Sequence, residues 1–280
     1  MKTLHKTAIS AAAVALLAGM ASTAAFAADT PENPEEAGSP IAANVTVVSD
    51  YRYRGISQSN FKPAIQGGFD YAHESGFYIG NWNSSISWIS DAASAGGKNN
   101  VSAPIEMDFY AGFKKELIAE GFASDLGVLQ YYYPTTGLPS SATNPNTTEI
   151  YAAQNYTFGP VTGFIKFSYS VTNTFGFANS SGSYYPDLTA NYDTGIWGLA
   201  VNAHVGYQKI AGQNVVAGVP TASYTDWKVG LTKDFGGGLY LAAAYIGTNA
   251  AKSGSTYAYQ SPSGKNLGGS TGIVSLTKTF

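Results

Sequence analysis

The sequence has no cysteine among its 280 residues. That excludes disulfide staples, thiolate metal sites, a cysteine nucleophile and an acylated cysteine anchor. Charge is scarce too: 12% of residues are Asp, Glu, Lys or Arg, about half of the roughly 25% usual in a soluble domain. Arginine occurs only at Arg52 and Arg54, so there is no ladder of arginines for acidic oligosaccharides. Past the N-terminus, no stretch approaches the ~18 consecutive apolar residues of a membrane-spanning helix. A soluble enzyme is disfavoured and a helical membrane protein is excluded. What is abundant is aromatic and turn-forming: 20 Tyr, 14 Phe, 4 Trp, 32 Gly and 12 Pro. Intrinsic disorder is disfavoured as well, because so many aromatics would collapse.

Residues 1–27 read as a secretory signal peptide: Lys2 and Lys6 at the start, an apolar core from Ala8 to Met20, and the small-x-small site Ala25-Phe26-Ala27 before Ala28. The core is too short for a bilayer span of ~20 residues, so it reads as a cleaved leader and not an anchor. Residues 28–40 follow, with Pro31, Pro34, Pro40 and the acids Glu32, Glu35 and Glu36. They read as a disordered acidic tail in the periplasm. The remainder, 41–280, is the folded unit. Losing Lys2 and Lys6 makes the formal net charge of −3 more acidic still.

Across 41–280 the apolar period is two, a strand signal. Val45, Val47, Tyr51 and Tyr53 alternate with Thr46, Asp50, Arg52 and Arg54; Ile105 to Phe113, Val161 to Tyr169 and Trp197 to Val205 do the same. Turn signals cut the chain into about twelve runs, at 42–54, 64–72, 76–89, 104–115, 121–133, 147–158, 160–171, 184–193, 195–208, 223–234, 238–248 and 270–280. Brief links at His73–Ser75, Glu116–Glu120, Phe158–Pro160, Asp193–Gly195 and Phe235–Gly237 alternate with long Ser/Gly/Asn-rich ones at 55–63, 90–103, 134–146, 172–183, 209–222 and 249–269. Short periplasmic turns alternating with long external loops are the pattern of an outer-membrane barrel. A soluble sandwich needs neither that asymmetry nor so little charge. The expectation is an all-β, antiparallel up-and-down transmembrane barrel of about twelve strands with both ends in the periplasm. In the last run Val274, Leu276 and Phe280 share a face, and a strand closing on Phe280 resembles the signal read by the barrel-assembly machinery. Lys278 departs from that pattern, but its stem can snorkel the charge to water at the rim.

One strand parity of such a barrel faces lipid and the other the lumen. Placing aromatic and branched residues outside sends Asp50, Arg52, Arg54, Asp70, Glu106, Asp108, Lys114, Lys166, His204, Asp226 and Lys228 inward as predicted pore-lining residues. Asp125, Glu149 and Asp187 join them on less regular strands. Acids then outnumber cations, which favours cations mildly. Arg52 and Arg54 read either as an electrostatic constriction beside Asp50 or as cross-strand pairs that fill space. Trp82 and Trp88, with Tyr51, Tyr53, Tyr71, Tyr169, Tyr207 and Tyr245, are expected outside as interfacial girdles. Tyr131-Tyr132-Tyr133 spans both faces.

Signals for chemistry are weak. After the leader the only histidines are His73 in a turn and His204 in a strand, with no G-x-S-x-G elbow and no H-E-x-x-H spacing. Glu106 and Asp108 lie ~7 Å apart along one strand face, compatible with glycosidase carboxylates but commonplace in a pore wall. Gly236-Gly237-Gly238 lacks the lysine of a phosphate cradle, and the acidic balance argues against nucleic acid. No enzyme, cofactor or metal is expected. The expected partners are outer-membrane lipid and lipopolysaccharide, the assembly machinery, and small hydrophilic solutes or ions.

The segment from Ser49 to Ser59 (SDYRYRGISQS), then Pro63 to Tyr71 (PAIQGGFDY) and Ser75 to Trp82 (SGFYIGNW), resembles the TorF-type porins of proteobacteria. Weaker echoes lie at Glu106–Gly112 and Tyr224–Gly230. The resemblance implies an outer-membrane β-barrel that forms a pore, with no established substrate. Two readings stand: passive diffusion of small hydrophilic solutes or ions, or a plugged barrel with a structural, adhesive or surface-binding role through its external loops.

Overall fold

The computed structural model describes residues 40–95, 97, 100–212 and 218–280. The leader, and the acidic tail up to its last residue, lie outside the described residues. In chain order the elements are β1 (Ile41–Val48), β2 (Arg52–Tyr53), β3 (Ile56–Ser57), β4 (Ala64–Ala72), β5 (Phe77–Ser85), α1 (Trp88–Ala95), β6 (Ile105–Ala119), β7 (Phe122–Tyr132), β8 (Thr147–Phe158), β9 (Val161–Ser170), β10 (Tyr184–Asp193), β11 (Leu199–Gln208), β12 (Tyr224–Asp234), β13 (Leu239–Thr248), β14 (Lys252–Ser253), β15 (Thr256–Tyr257) and β16 (Thr271–Thr279). The pairs β2–β3 and β14–β15 are separate small hairpins, and the other twelve strands close one antiparallel barrel. Each barrel strand pairs with its sequence neighbour, and β1 returns to β16 with Val47 opposite Leu276. Closure leaves no unpaired edge, which a sheet in lipid requires.

Alternation sorts the two faces. Val47, Ile65, Phe69, Ile79, Phe109, Leu126, Ile150, Ile165, Leu188, Val205, Val229 and Leu276 are exposed on the outside. Tyr169, Tyr207 and Tyr245 are exposed there as expected of girdle residues. Lys278 also lies outside, paired with Val45, and its Nζ donates to the Gly237 carbonyl in the adjacent turn.

Several expectations need correction. The first run does not continue to residue 54: β1 stops at Val48, because Ser49-Asp50 breaks the alternation and the next residues bond one another. Tyr51 and Tyr53 therefore do not face lipid; Tyr51 is buried and Tyr53 half-buried inside. Trp82 is inside as well, since β5 carries apolar residues on both parities and its register sets Trp82 opposite Gly68 and Asp108. Trp88 is in no strand: it opens α1, whose N-cap Ser87 donates to the Asp91 carboxylate at 2.7 Å. The Glu116–Glu120 link shrinks, because β6 runs on to Ala119 through a bulge.

Candidate functional site inside the barrel

Beyond Val48 the chain turns back into the barrel as a strap, residues 49–63, before rejoining the wall at β4. Its core is the hairpin β2–β3, with Arg52 opposite Ser57 and Tyr53 opposite Ile56. Arg54 and Gly55, at φ 45° and 77°, supply the two left-handed residues of a tight hairpin turn. Only glycine fits the second position, where a Cβ would lie 2.8 Å from the Asp226 Cβ.

The root of the strap is organised by Arg52, whose side chain is fully buried. Its Nε donates to Asp50 Oδ2 at 2.6 Å, and Asp50 Oδ1 accepts from Ser57 and Ser59 at 2.6 and 3.1 Å. Arg52 Nη1 donates to the Gly55 carbonyl at 3.0 Å and, in the loop joining β13 to β16, to the carbonyls of Leu267 and Gly269 at 2.8 and 3.1 Å. The Ser57 amide also donates to Leu267. The root thus belongs to its own side of the barrel.

The tip belongs to the far side. Arg54 makes a two-pronged pair with Glu149 on β8, at 3.1 and 2.7 Å, and donates to Gln208 Oε1 on β11 at 2.5 Å. Its guanidinium lies 4.1 Å from the centre of the Tyr185 ring on β10. Around the ring of strands β8 stands five steps from β1, so this contact crosses the interior. The Tyr53 hydroxyl meets that of Tyr131 on β7 at 2.6 Å, and Tyr51 donates to Glu106 on β6 at 2.5 Å. Tyr133 donates to the other Glu106 oxygen at 2.8 Å. Burial, reinforced by the negative charge of Glu106, pushes both phenols well above their ordinary range and keeps them donors. Above them the Gln58 carbonyl accepts the amides of Ser87 and Trp88, and Trp88 meets Tyr133 edge to face. Every wall contact of the tip lies near the long-loop end of its strand, so the strap spans the interior at that end.

Deeper in, His204 bridges Asp187 and Asp226 at 3.0 and 2.9 Å, and Tyr185 donates to Asp226 at 2.8 Å. Lys166 sits over the Tyr151 ring at 4.1 Å and pairs in register with Asp187, while Lys228 pairs with His204. Nearer the short-turn end, Tyr78 donates to Asp125 at 2.7 Å and touches the Tyr151 hydroxyl, and Tyr110 donates to Asp70 at 2.5 Å. Lys114 stands opposite Asp125.

All eleven residues singled out in the sequence, and Asp125, Glu149 and Asp187 with them, project into the interior. The strap brings Asp50 to Arg52, and Arg54 to Glu149; Asp70 and Lys114 stay apart from these, toward the other end. Parity did not place Arg52 and Arg54, since they stand on no wall strand. Sequence reasoning missed the strap, Gln208, and Tyr131 and Tyr133 as its receivers. The missed signal was the Arg54-Gly55 pair between alternating residues, a two-residue hairpin turn.

Two solved structures share this architecture. The chain superposes on the NanC porin with a TM-score of 0.53 at 9% identity, over 86% of this chain and 98% of that one. The KdgM porin gives 0.50 at 8% identity, over 85% and 99%. At such identity the likeness concerns the fold. No curated protein matches the sequence. The profile of a family described as "Bacterial protein of unknown function (Gcw_chp)" matches residues 32–280.

Proposed function

Since the chain belongs to this Gcw_chp family, whose description assigns no activity, we propose its function from the barrel: a porin-like outer-membrane channel for passive diffusion of small hydrophilic solutes or ions. One observation carries the reading. The barrel is inside-out relative to a soluble protein, with branched and aromatic side chains outside and charged ones within. Lipid accounts for the outside; a ring of ionised groups around the axis suits a hydrated path. The resemblance of the 49–82 region to TorF-type porins agrees with this, as does an even number of strands with both ends on the short-turn side. The excess of interior acids adds a mild cation preference to the proposal.

A second reading has its own support. Arg52 and Arg54 are 0% and 4% exposed, so the strap holds its charges out of water as a plug does. Planar-bilayer recording of the purified protein separates the two. Stepwise single-channel currents support the channel. Silence from a barrel shown to be folded, by its heat-dependent gel mobility, would favour a surface role through the external loops.

A further inference from the structure

We propose that the strap of residues 49–63 is a gate, hinged at its Arg52 root and latched across the barrel by Arg54 on Glu149. This rests on the channel reading and adds its regulation: Arg54 and Glu149 become the residues that control passage.

The argument begins with how unequally the strap is held. Arg52 bonds to its own segment and to the adjoining loop, through Asp50, Gly55, Leu267 and Gly269. Those contacts survive if root and loop move together. Arg54 instead bonds to Glu149 and Gln208 on distant strands, and those contacts cannot survive if the tip moves. Closure therefore hangs on a charged pair joined by flanking phenol contacts. A buried pair is poised for switching, because removing one partner leaves the other charge uncompensated away from water. The cheapest remedy for a stranded Arg54 is to carry the tip out to solvent.

Glu149→Gln keeps the shape of the receiver and removes its charge. In bilayers it should raise open probability about tenfold or more, the scale of stranding one buried charge. The double variant Arg54→Gln/Glu149→Gln strands no charge and should open less than Glu149→Gln alone, a coupling read from the double-mutant cycle.

A reversible lock guards against a variant that merely misfolds. The chain has no cysteine of its own, so a pair placed at the latch itself, Arg54→Cys/Glu149→Cys, can be bridged across the site of the lost ion pair by a bis-methanethiosulfonate reagent, whose links are disulfides that a thiol cleaves. The bridged Arg54→Cys/Glu149→Cys pair, its cross-link shown by mass spectrometry, should hold the conductance low, and dithiothreitol should release it within the same recording. A cross-linked pair conducting as freely as the reduced pair, or Glu149→Gln gating like the wild type, would overturn the gate and leave the channel standing. Silence of the folded wild type and of every variant, reduced or oxidised, would overturn the channel reading and the gate with it.

Discussion

At Gly206 the missing side chain is what seats the tip of the strap. A Cβ there would lie 2.1 Å from the Tyr185 hydroxyl oxygen, so the ring lies flat across β11 only because nothing stands in its way. The same ring carries the Arg54 guanidinium and donates to Asp226. Gly206→Ala should displace Tyr185 and destabilise the barrel by about 1–3 kcal/mol, the cost of overpacking a filled interior. Tyr185→Phe keeps the ring and loses one hydrogen bond, about 1 kcal/mol. Urea midpoints of the two variants in detergent check the order; a Gly206→Ala midpoint equal to the wild type's would remove the idea of a seat. The charged neighbours of this site were legible in the sequence, because a charge in a membrane barrel has one tolerable face. Tyrosine was not: its apolar ring and polar hydroxyl suit the girdle and the interior equally. Tyr169 and Tyr245 therefore took the outside while Tyr131, Tyr151 and Tyr185 filled the inside.

The wall elements were legible for a related reason. Where turn residues such as Gly, Pro, Asn or Asp mark the edges of a run, as at β4, β8 and β10, the ends read from sequence coincide with those observed. Where both parities are apolar, as in β5, the face of Trp82 was undetermined. The strap was illegible because its residues have strand composition, and only contacts with distant strands decide that they leave the wall. α1 is eight residues long and Ser/Ala-rich, too short to show a helical period inside a long loop. The parity of β9 is open to direct test. Ile165, 62% exposed in mid-strand, faces lipid, whereas adjacent Lys166 faces inward. Ile165→Arg should cost about 2–4 kcal/mol at the bilayer midplane, seen as a lower unfolding midpoint in vesicles. Lys166→Gln carries no such lipid penalty. Equal losses at the two positions would show that the face is misassigned.

For the molecule as a whole, the proposed channel would owe its selectivity to the distribution of charge inside the closed barrel. The strap neutralises its own arginines, Arg52 on Asp50 and Arg54 on Glu149. What remains on the wall is Lys114, Lys166 and Lys228 facing Asp70, Glu106, Asp108, Asp125, Asp187 and Asp226, with His204 between two of those acids. The acids are in excess, and they are not spread evenly. Glu106 and Asp108 share one face of β6 beside the strap, and one Asp108 oxygen has no hydrogen-bond partner among the described residues. Low-dielectric walls focus the field of such groups along the axis. In the proposed channel an ion passing the strap would therefore meet negative potential first, and the reversal potential in a KCl gradient should fall on the cation side. Glu106→Gln/Asp108→Asn should move it toward zero, and Lys228→Gln should move it further to the cation side. In Glu106→Gln one of Tyr51 and Tyr133 can still donate to the amide oxygen while the other turns its hydroxyl to accept from the amide NH2, so the double substitution tests charge more than packing. A wild-type channel that prefers anions, or one whose selectivity ignores the β6 acids, would show that the conducting path does not run past them.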